Sequence, residues 1–196
     1  MEELIVIYDK EKRDRGRDSY IRAIKKQIPG ARVADVADLP EVRRNKLLVL
    51  KPMNDGDYET LKTFLKCNPG RDIEGIGSGK LTITAEAIIR VIGPVDKKTV
   101  VIINQSDVLG RPLAKELIER GANVISLNSS YPCLDNLLTM TDIDILVSAS
   151  GQGEFELDRE LTRMIDVKID LSNDLEDPIK ITSVPTIEVL KDRLKS

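Results

Sequence analysis

The sequence predicts an α/β fold with parallel strands, and two observations lead to this prediction. Short apolar runs alternate with segments of helical periodicity along the whole chain of 196 residues. The runs are continuous rather than interrupted by polar residues, as in parallel strands that helices cover on both faces. Repeated β-α units of this kind imply right-handed crossovers between the strands.

Six apolar runs predict strands, and the periodic segments predict helices. The predicted strands are residues 4–9, 47–51, 99–104, 123–128, 144–150 and 167–172. Helices are predicted at residues 18–28, 55–66, 84–93, 109–120, 131–139, 156–164 and 184–196. No internal repeat or low-complexity stretch interrupts this order.

A domain boundary is predicted in the segment "VIGPVDKK", which spans residues 91–98. Gly93 and Pro94 end one helix there, and a charged turn separates them from a new strand. We therefore expect a first domain over residues 1–92 and a second over residues 93–183. The second domain reads as a compact β-α-β-α-β-β block.

The composition argues against several classes of function. A net charge of −3 and a pI near 5.3 are not those of a nucleic-acid-binding surface. No apolar run approaches the roughly 20 residues of a membrane span, and we expect no signal peptide and no membrane partner. The distant Cys67 and Cys133 favour reduced thiols in a cytoplasmic protein. Because the chain has no histidine, acid–base chemistry must fall to lysine, tyrosine or carboxylates.

The segment "NQSDVLGRP", from Asn104 to Pro112, has the order of a dinucleotide-binding turn. It follows a buried run at residues 99–103 and opens a helix whose N–H groups and partial positive charge would face the strand's carboxyl end. A phosphate could bind there, and Gly110 would let the backbone approach it. The spacing is not G-x-G-x-x-G, so a plain structural turn remains an open alternative.

Two other motif matches fail. In "GIGSGK", residues 75–80, the first glycine of the phosphate-loop pattern falls on Glu74, and Leu81 replaces the required Ser or Thr. The segment "DLSNDLED", residues 170–177, lacks the glycine and the closing glutamate of a calcium loop. We expect a solvated acidic loop there and no metal site.

Eight short segments match, in order, the patterns of one enzyme family. The segments are "VLKP", "RDIEG" and "TITAEA" in the first half, then "NQSDVLGRP", "NSSY", "IDILVSASG", "KIDLS" and "TSVP". Each match is weak by itself, but their order extends over most of the chain. The sequence thus resembles the methylenetetrahydrofolate dehydrogenase/cyclohydrolase family, although it is shorter than typical members, mainly in its first half.

The resemblance implies a folate-side α/β domain followed by a Rossmann-like NAD(P)-binding domain, with a cleft between them and the helix of residues 184–196 packing back on the first. It implies NAD or NADP as cofactor, a folate-type small molecule as ligand, and a homodimer. The expected reaction is hydride transfer from 5,10-methylenetetrahydrofolate to NAD(P)⁺. The implied cofactor-binding residues are Asn104, Gln105, Ser106, Gly110, Arg111, Pro112, Ser129 and Gly151.

The chain departs from the family at the catalytic positions. The family pattern Tyr-x-x-x-Lys places both side chains on one helix face; Tyr20 is present here, but Ile24 stands four residues later. Lys25 lies about 100° around the helix and would have to reach back. The glutamine that contacts the lysine is Leu50, and the aspartate of V-D-G is Glu74. We take Tyr20, Lys25 and Glu74 as candidate catalytic residues and expect impaired cyclohydrolase activity.

The cofactor positions also depart from the pattern. Asn104 replaces a glycine, and Gln105 replaces the arginine that would pair with a 2′-phosphate. The run at 123–128 does not end in the acid that NAD-selective folds use, while Ser129 and Ser130 suit either cofactor. NAD and NADP therefore both remain open. The alternative function is a non-catalytic family member that binds a nucleotide or another ligand in a regulatory or partner-binding role.

Overall fold

The chain divides into two units, each built around a parallel sheet. Residues 1–83 and 186–196 form the first unit, and residues 84–185 form the second. The predicted α/β fold with parallel sheets is confirmed. The sequence-based boundary near residue 93 falls at the end of a helix that belongs mainly to the second unit. The computed structural model describes residues 3–38, 45–140, 142–151, 155–181 and 184–195.

The described residues contain eight strands and seven α-helices. The strands are β1 (Leu4–Tyr8), β2 (Arg32–Asp35), β3 (Lys46–Val49), β4 (Thr99–Ile103), β5 (Asn123–Leu127), β6 (Ile145–Ser148), β7 (Val167–Asp170) and β8 (Ile179–Lys180). The helices are α1 (Arg15–Gln27), α2 (Asp55–Cys67), α3 (Ile83–Ile92), α4 (Gly110–Glu119), α5 (Leu134–Met140), α6 (Arg159–Thr162) and α7 (Val184–Lys195). Over this part of the chain, no helix is long and apolar enough to cross a membrane.

The first unit is organised around β1, which pairs in parallel with both neighbours in the order β2-β1-β3. The side chains from Leu4 to Ile7 are buried, as expected for a central parallel strand. Helix α1 begins after Asp14, whose carboxylate accepts the N–H of Arg17 and so caps the helix. This start places Ile24 in the core, where it is fully buried.

The second unit contains a five-stranded parallel sheet in the order β5-β4-β6-β7-β8. The chain passes from β4 to β5 on one side and returns across β4 to β6 on the other. The direction of winding therefore changes between the carboxyl ends of β4 and β6, the position where open α/β sheets bind ligands. Val101, Ile103 and Leu146, on β4 and β6, belong to one buried hydrophobic cluster.

The sequence patterns failed for short helices and strands, which they either did not predict or predicted as too long. Strand β2 was not predicted, because its four residues carry no clear apolar run and pairing with β1 decides their conformation. The predicted helix at 156–164 is only α6, which begins after the capping residue Asp158. Strand β6 ends at Ser148 rather than at residue 150.

The acidic segment of residues 170–177 is not the solvated loop that the sequence suggested. Asp170 and Asp174 are almost completely buried. The Asp174 carboxylate accepts hydrogen bonds from Ser148 Oγ at 2.6 Å and Ser150 Oγ at 2.9 Å, and Asp170 accepts the N–H of Leu175 at 3.0 Å. The expectation was wrong because Asp174 binds donors at the end of β6, 24 and 26 positions away, which no local pattern reveals, while Asp170 accepts N–H groups of its own loop.

Candidate functional site

A buried carboxylate organises the glycine-rich segment of residues 75–80, between α2 and α3. Asp72 accepts the backbone N–H groups of Gly75 at 2.8 Å, Gly77 at 2.7 Å and Ser78 at 2.7 Å. The segment that resembles a phosphate loop therefore directs its N–H groups at a side chain of its own. Among the described residues, no group of three or more Cys, Asp or Glu side chains is arranged to hold a metal ion.

Glu74 is a second buried carboxyl group, two residues further along. Its Oε1 accepts the N–H of Ile83, the first residue of α3, at 3.3 Å. Burial raises the pKa of Glu74 to about 8, although the charge of Arg193 and the bond from Ile83 oppose this rise, while the charge of Asp72 adds to it. At neutral pH the group is therefore mainly a neutral acid that can donate or accept a hydrogen bond.

The Tyr20 hydroxyl, on α1, lies within electrostatic range of Glu74. Burial, and then the Glu74 charge, raise the pKa of Tyr20 above its ordinary value; Thr186 and Arg193 oppose the rise. Among the described residues, the hydroxyl makes no hydrogen bond of normal geometry, although Thr186 is near enough to lower its pKa. Tyr20 is therefore a neutral hydroxyl beside an ionisable carboxyl group.

The lysine expected next to this tyrosine has no buried equivalent in α1. Ile24 is fully buried and Leu50 is 8% exposed, so both positions belong to the core. Lys25 is exposed at the surface of the helix. The charges that act on Tyr20 and Glu74 come from Asp72 and Arg193, and Lys25 is not among them.

Sequence reasoning missed the two α7 side chains in this cluster. Arg193 donates from Nη1 to the carbonyl oxygens of Ile73 at 2.8 Å and Glu74 at 3.2 Å, and from Nη2 to that of Leu81. The signal was available: Thr186 and Arg193 are seven residues apart and share the helix face whose other members are buried. The resemblance implied that this helix packs back on the first domain, but it identified neither side chain.

In the second unit, the Asn104 side chain closes the turn after β4. Its Nδ2 donates to the carbonyl oxygen of Ala149, after β6, at 2.7 Å. Its Oδ1 accepts Ser106 N–H at 2.9 Å, Ser106 Oγ–H at 2.7 Å and Gly110 N–H at 2.9 Å. One side chain thus joins the ends of two strands to the start of α4, at the position where the winding of the sheet changes.

The expectation of free N–H groups at the start of α4 is wrong. Gly110 donates to Asn104, Arg111 donates to the Ser106 carbonyl at 3.1 Å, and Leu113 donates to Leu109 at 2.9 Å. Gly110 is required by the packing of the chain itself, since a Cβ there would lie 1.8 Å from the Asn104 carbonyl oxygen. Its missing side chain allows the helix to pack against the strand end instead.

The remaining predicted cofactor residues lie in the loops and first helix turn that follow the carboxyl ends of β4, β5 and β6, which we call the rim of the sheet. Gln105 is exposed and donates from Nε2 to the Ser126 carbonyl at 2.9 Å. Arg111 forms an exposed ion pair with Asp107 at 2.8 Å. Gly151 has φ +68° with open space at its α-carbon, and its N–H donates to Ser172 Oγ at 3.0 Å.

Two further predicted positions complete the edge. Ser129 is half-buried after β5, whereas Ser130 beside it is exposed; Pro112 lies in the first turn of α4. The rim therefore offers hydroxyl, amide and backbone groups to a polar ligand, together with one arginine. The first N–H groups of α4 are not free to bind a diphosphate, because Asn104 Oδ1 accepts that of Gly110 and the Ser106 carbonyl accepts that of Arg111.

Comparison with known proteins supplies the family. Residues 82–179, half of the chain, match the model of the tetrahydrofolate dehydrogenase/cyclohydrolase NAD(P)-binding domain. The bifunctional protein FolD of Dictyoglomus thermophilum is 27% identical, in an alignment covering 80% of this chain and 60% of the relative. FolD of Thermosipho africanus is 28% identical, covering 72% of this chain and 61% of the relative. The chain thus spans about 60% of the length of these curated relatives.

Solved structures share the fold across nearly the whole chain. The NAD-dependent 5,10-methylenetetrahydrofolate dehydrogenase of Saccharomyces cerevisiae has a TM-score of 0.73 at 16% identity, covering 99% of this chain and 86% of that one. The Trypanosoma brucei FolD, solved with NADP and an inhibitor, has a TM-score of 0.69 at 19% identity, covering 97% and 84%. The resemblance read from the eight segments is confirmed, and the chain belongs to the tetrahydrofolate dehydrogenase/cyclohydrolase family.

Proposed function

We propose that this protein oxidises 5,10-methylenetetrahydrofolate by hydride transfer to NAD⁺ or NADP⁺ and has little or no cyclohydrolase activity. The observation that carries this proposal is that the Tyr20 hydroxyl and the Glu74 carboxyl group, at the family's tyrosine and carboxylate positions, are both buried beside an apolar core where the lysine and glutamine would stand. Ile24 and Leu50 fill those positions.

The two reactions need different help from the protein. Hydride transfer depends mainly on how the folate and the cofactor are held, because the chemistry resides in the ligands. We propose that Glu74 holds the folate by hydrogen bonds to its pterin ring. Hydrolysis of the methenyl product requires positioned proton transfers, and an isoleucine at position 24 offers none. The proposal therefore separates activities that the family name combines.

The cofactor would be held along the rim of the second unit's sheet. Gln105, Ser129 and Gly151 offer the amide, hydroxyl and backbone groups there, and Arg111 offers the positive charge. The bound nicotinamide would supply the hydride acceptor. We extend the proposal to a cytoplasmic homodimer without nucleic-acid or membrane partners, in keeping with the acidic composition and the family.

One observation favours a second candidate function, a non-catalytic family member that binds a nucleotide or another ligand. Asn104 ties the ends of β4 and β6 together and satisfies the first N–H of α4. A cofactor that required these groups would have to displace the side chain. A protein that has filled this position could retain a binding role at the rim without catalysing hydride transfer.

Thermal unfolding with NAD⁺, NADP⁺ or folic acid tests the proposal. A ligand at one hundred times its dissociation constant adds about 2.7 kcal/mol to the free energy of unfolding. We expect stabilisation by one cofactor and by folic acid, with the folic acid effect reduced in Glu74→Gln. Glu59→Gln, which removes one partner of an exposed ion pair with Lys62 in the same unit, is the matched control. Stabilisation by a nucleotide alone would favour the second candidate, and no stabilisation by either ligand would refute the enzyme.

A further inference from the structure

Arg193 reaches from the C-terminal helix to both sides of Glu74. Its guanidinium donates to the carbonyl oxygens of Ile73 and Glu74 on one side and of Leu81 on the other. An arginine fork can hold several acceptors at once in fixed directions, which a lysine cannot do. The backbone that carries the Glu74 carboxyl group is therefore fixed by a residue 119 positions away in sequence.

The same guanidinium supplies a positive charge that opposes the effects of burial and of the Asp72 charge on Glu74. The Tyr20 hydroxyl from α1 and the Asp72 carboxylate from the same segment lie within electrostatic range of Glu74, and from α3 the Ile83 N–H donates to it. The Ile83 N–H stabilises the ionised form of Glu74, whereas the Asp72 charge opposes it. Arg193, from α7, adds the opposing positive charge.

We propose that Arg193 is a positioning residue for Glu74, fixing the backbone on both sides of it and placing a positive charge beside its carboxyl group. The functional consequence rests on the proposed folate binding. A pterin ring presents adjacent N–H donors, and an ionised carboxylate accepts two such bonds better than a neutral acid does. Arg193 thereby sets the pH range over which the folate-type ligand binds.

The protonation of Glu74 can be measured in the free protein, without any ligand. Carbon-13 NMR of the side-chain carboxyl, with Glu74→Gln used to assign the signal, gives the titration midpoint. In Arg193→Gln the amide can still donate to a carbonyl but carries no charge. We expect the midpoint to rise by about one pH unit above the wild-type value, within the range for loss of one nearby opposite charge.

Lys191→Met is the matched control, because it removes a positive charge from the same helix. Lys191 donates to Gln27 Oε1 at 2.9 Å at the surface, away from the carbonyl groups that Arg193 holds. Its midpoint should equal that of the wild type. A wild-type midpoint in Arg193→Gln, or equal shifts in both variants, would overturn the proposal.

A variant that keeps the charge covers the case in which Arg193→Gln does not fold. Arg193→Lys retains the cation but cannot hold carbonyls on both sides of Glu74, so its midpoint should rise by a smaller amount. An unchanged midpoint in Arg193→Lys would overturn the positioning role. Circular dichroism establishes that each variant is folded before titration.

Folic acid affinity at pH 7 then tests the functional consequence separately. A midpoint one unit higher leaves about one-tenth as much ionised Glu74, so folic acid should bind about tenfold more weakly to Arg193→Gln than to wild type. An NMR shift without any folic acid binding in wild type would refute the proposed function while supporting the role of Arg193. An affinity unchanged by a shifted midpoint would overturn the link between them.

Discussion

Replacement of Asn104 by alanine should destabilise the second unit more than the loss of most other polar side chains near the surface would. The side chain makes four hydrogen bonds, one to Ala149, two to Ser106 and one to Gly110. A typical net contribution is about 0.5–1.5 kcal/mol per bond. Because Asn104 is half-buried, water can hydrogen-bond some of the groups that lose their partner in the variant. The energies of the four bonds therefore do not simply add. We expect Asn104→Ala to lower the free energy of unfolding by about 2–4 kcal/mol.

Urea unfolding monitored by circular dichroism measures this loss. Gln105→Ala is the matched control: the neighbouring side chain is exposed and makes one bond, to Ser126, so its loss should cost less than about 1 kcal/mol. Asn104→Asp should cost less than the alanine variant, since it keeps the acceptor atom but replaces the donor to Ala149. If Asn104→Ala were no more destabilising than Gln105→Ala, the account of Asn104 as the tie between β4, β6 and α4 would be refuted.

Three further predictions concern single positions. The pKa of Glu74 is about 8 in the folded protein, against an ordinary value of 4.5. The wild-type free energy of unfolding should therefore fall by roughly 1 kcal/mol for each pH unit between these values, because only the folded state keeps the proton there. Urea titrations at pH 5 and pH 8 should show this fall in the wild type and not in Glu74→Gln. Gly110→Ala should destabilise by more than about 3 kcal/mol in the same assay, because its Cβ would meet the Asn104 carbonyl, whereas Gly30→Ala, with open space around it, should be nearly neutral. Gln105→Arg should strengthen NADP⁺ binding by about 1–3 kcal/mol in calorimetry and leave NAD⁺ unchanged; equal changes for both cofactors would show that residue 105 does not face the 2′ position.

The sequence predicted the longer elements and the family because both depend on local order. Continuous apolar runs identified the strands around β4 and β6, and the order of eight short segments identified the relatives. Burial of Ile24 was also readable, since it lies on one apolar helix stripe with its neighbours. These features are encoded within a few residues of each other.

The chemistry of the site depends on contacts that no local pattern encodes. Arg193 meets the segment around Glu74 more than a hundred positions away, and Asn104 finds its acceptor at Ala149, 45 positions away. From the sequence, Asn104 only replaces a glycine of the family pattern, whereas in the structure its side chain makes four hydrogen bonds. The acidic segment around Asp174 was misjudged for the same reason, since its donors lie on another strand.

A product measurement tests most directly the proposal that the protein transfers hydride without catalysing the cyclohydrolase step. The purified protein is supplied with 5,10-methylenetetrahydrofolate and NAD⁺ or NADP⁺, and reduced cofactor, methenyl and formyl products are quantified together over time. The account predicts that methenyltetrahydrofolate accumulates in proportion to reduced cofactor and is hydrolysed only at its spontaneous rate. Absence of cofactor reduction would contradict the claim, as would hydrolysis well above the spontaneous rate that falls in Lys25→Ala.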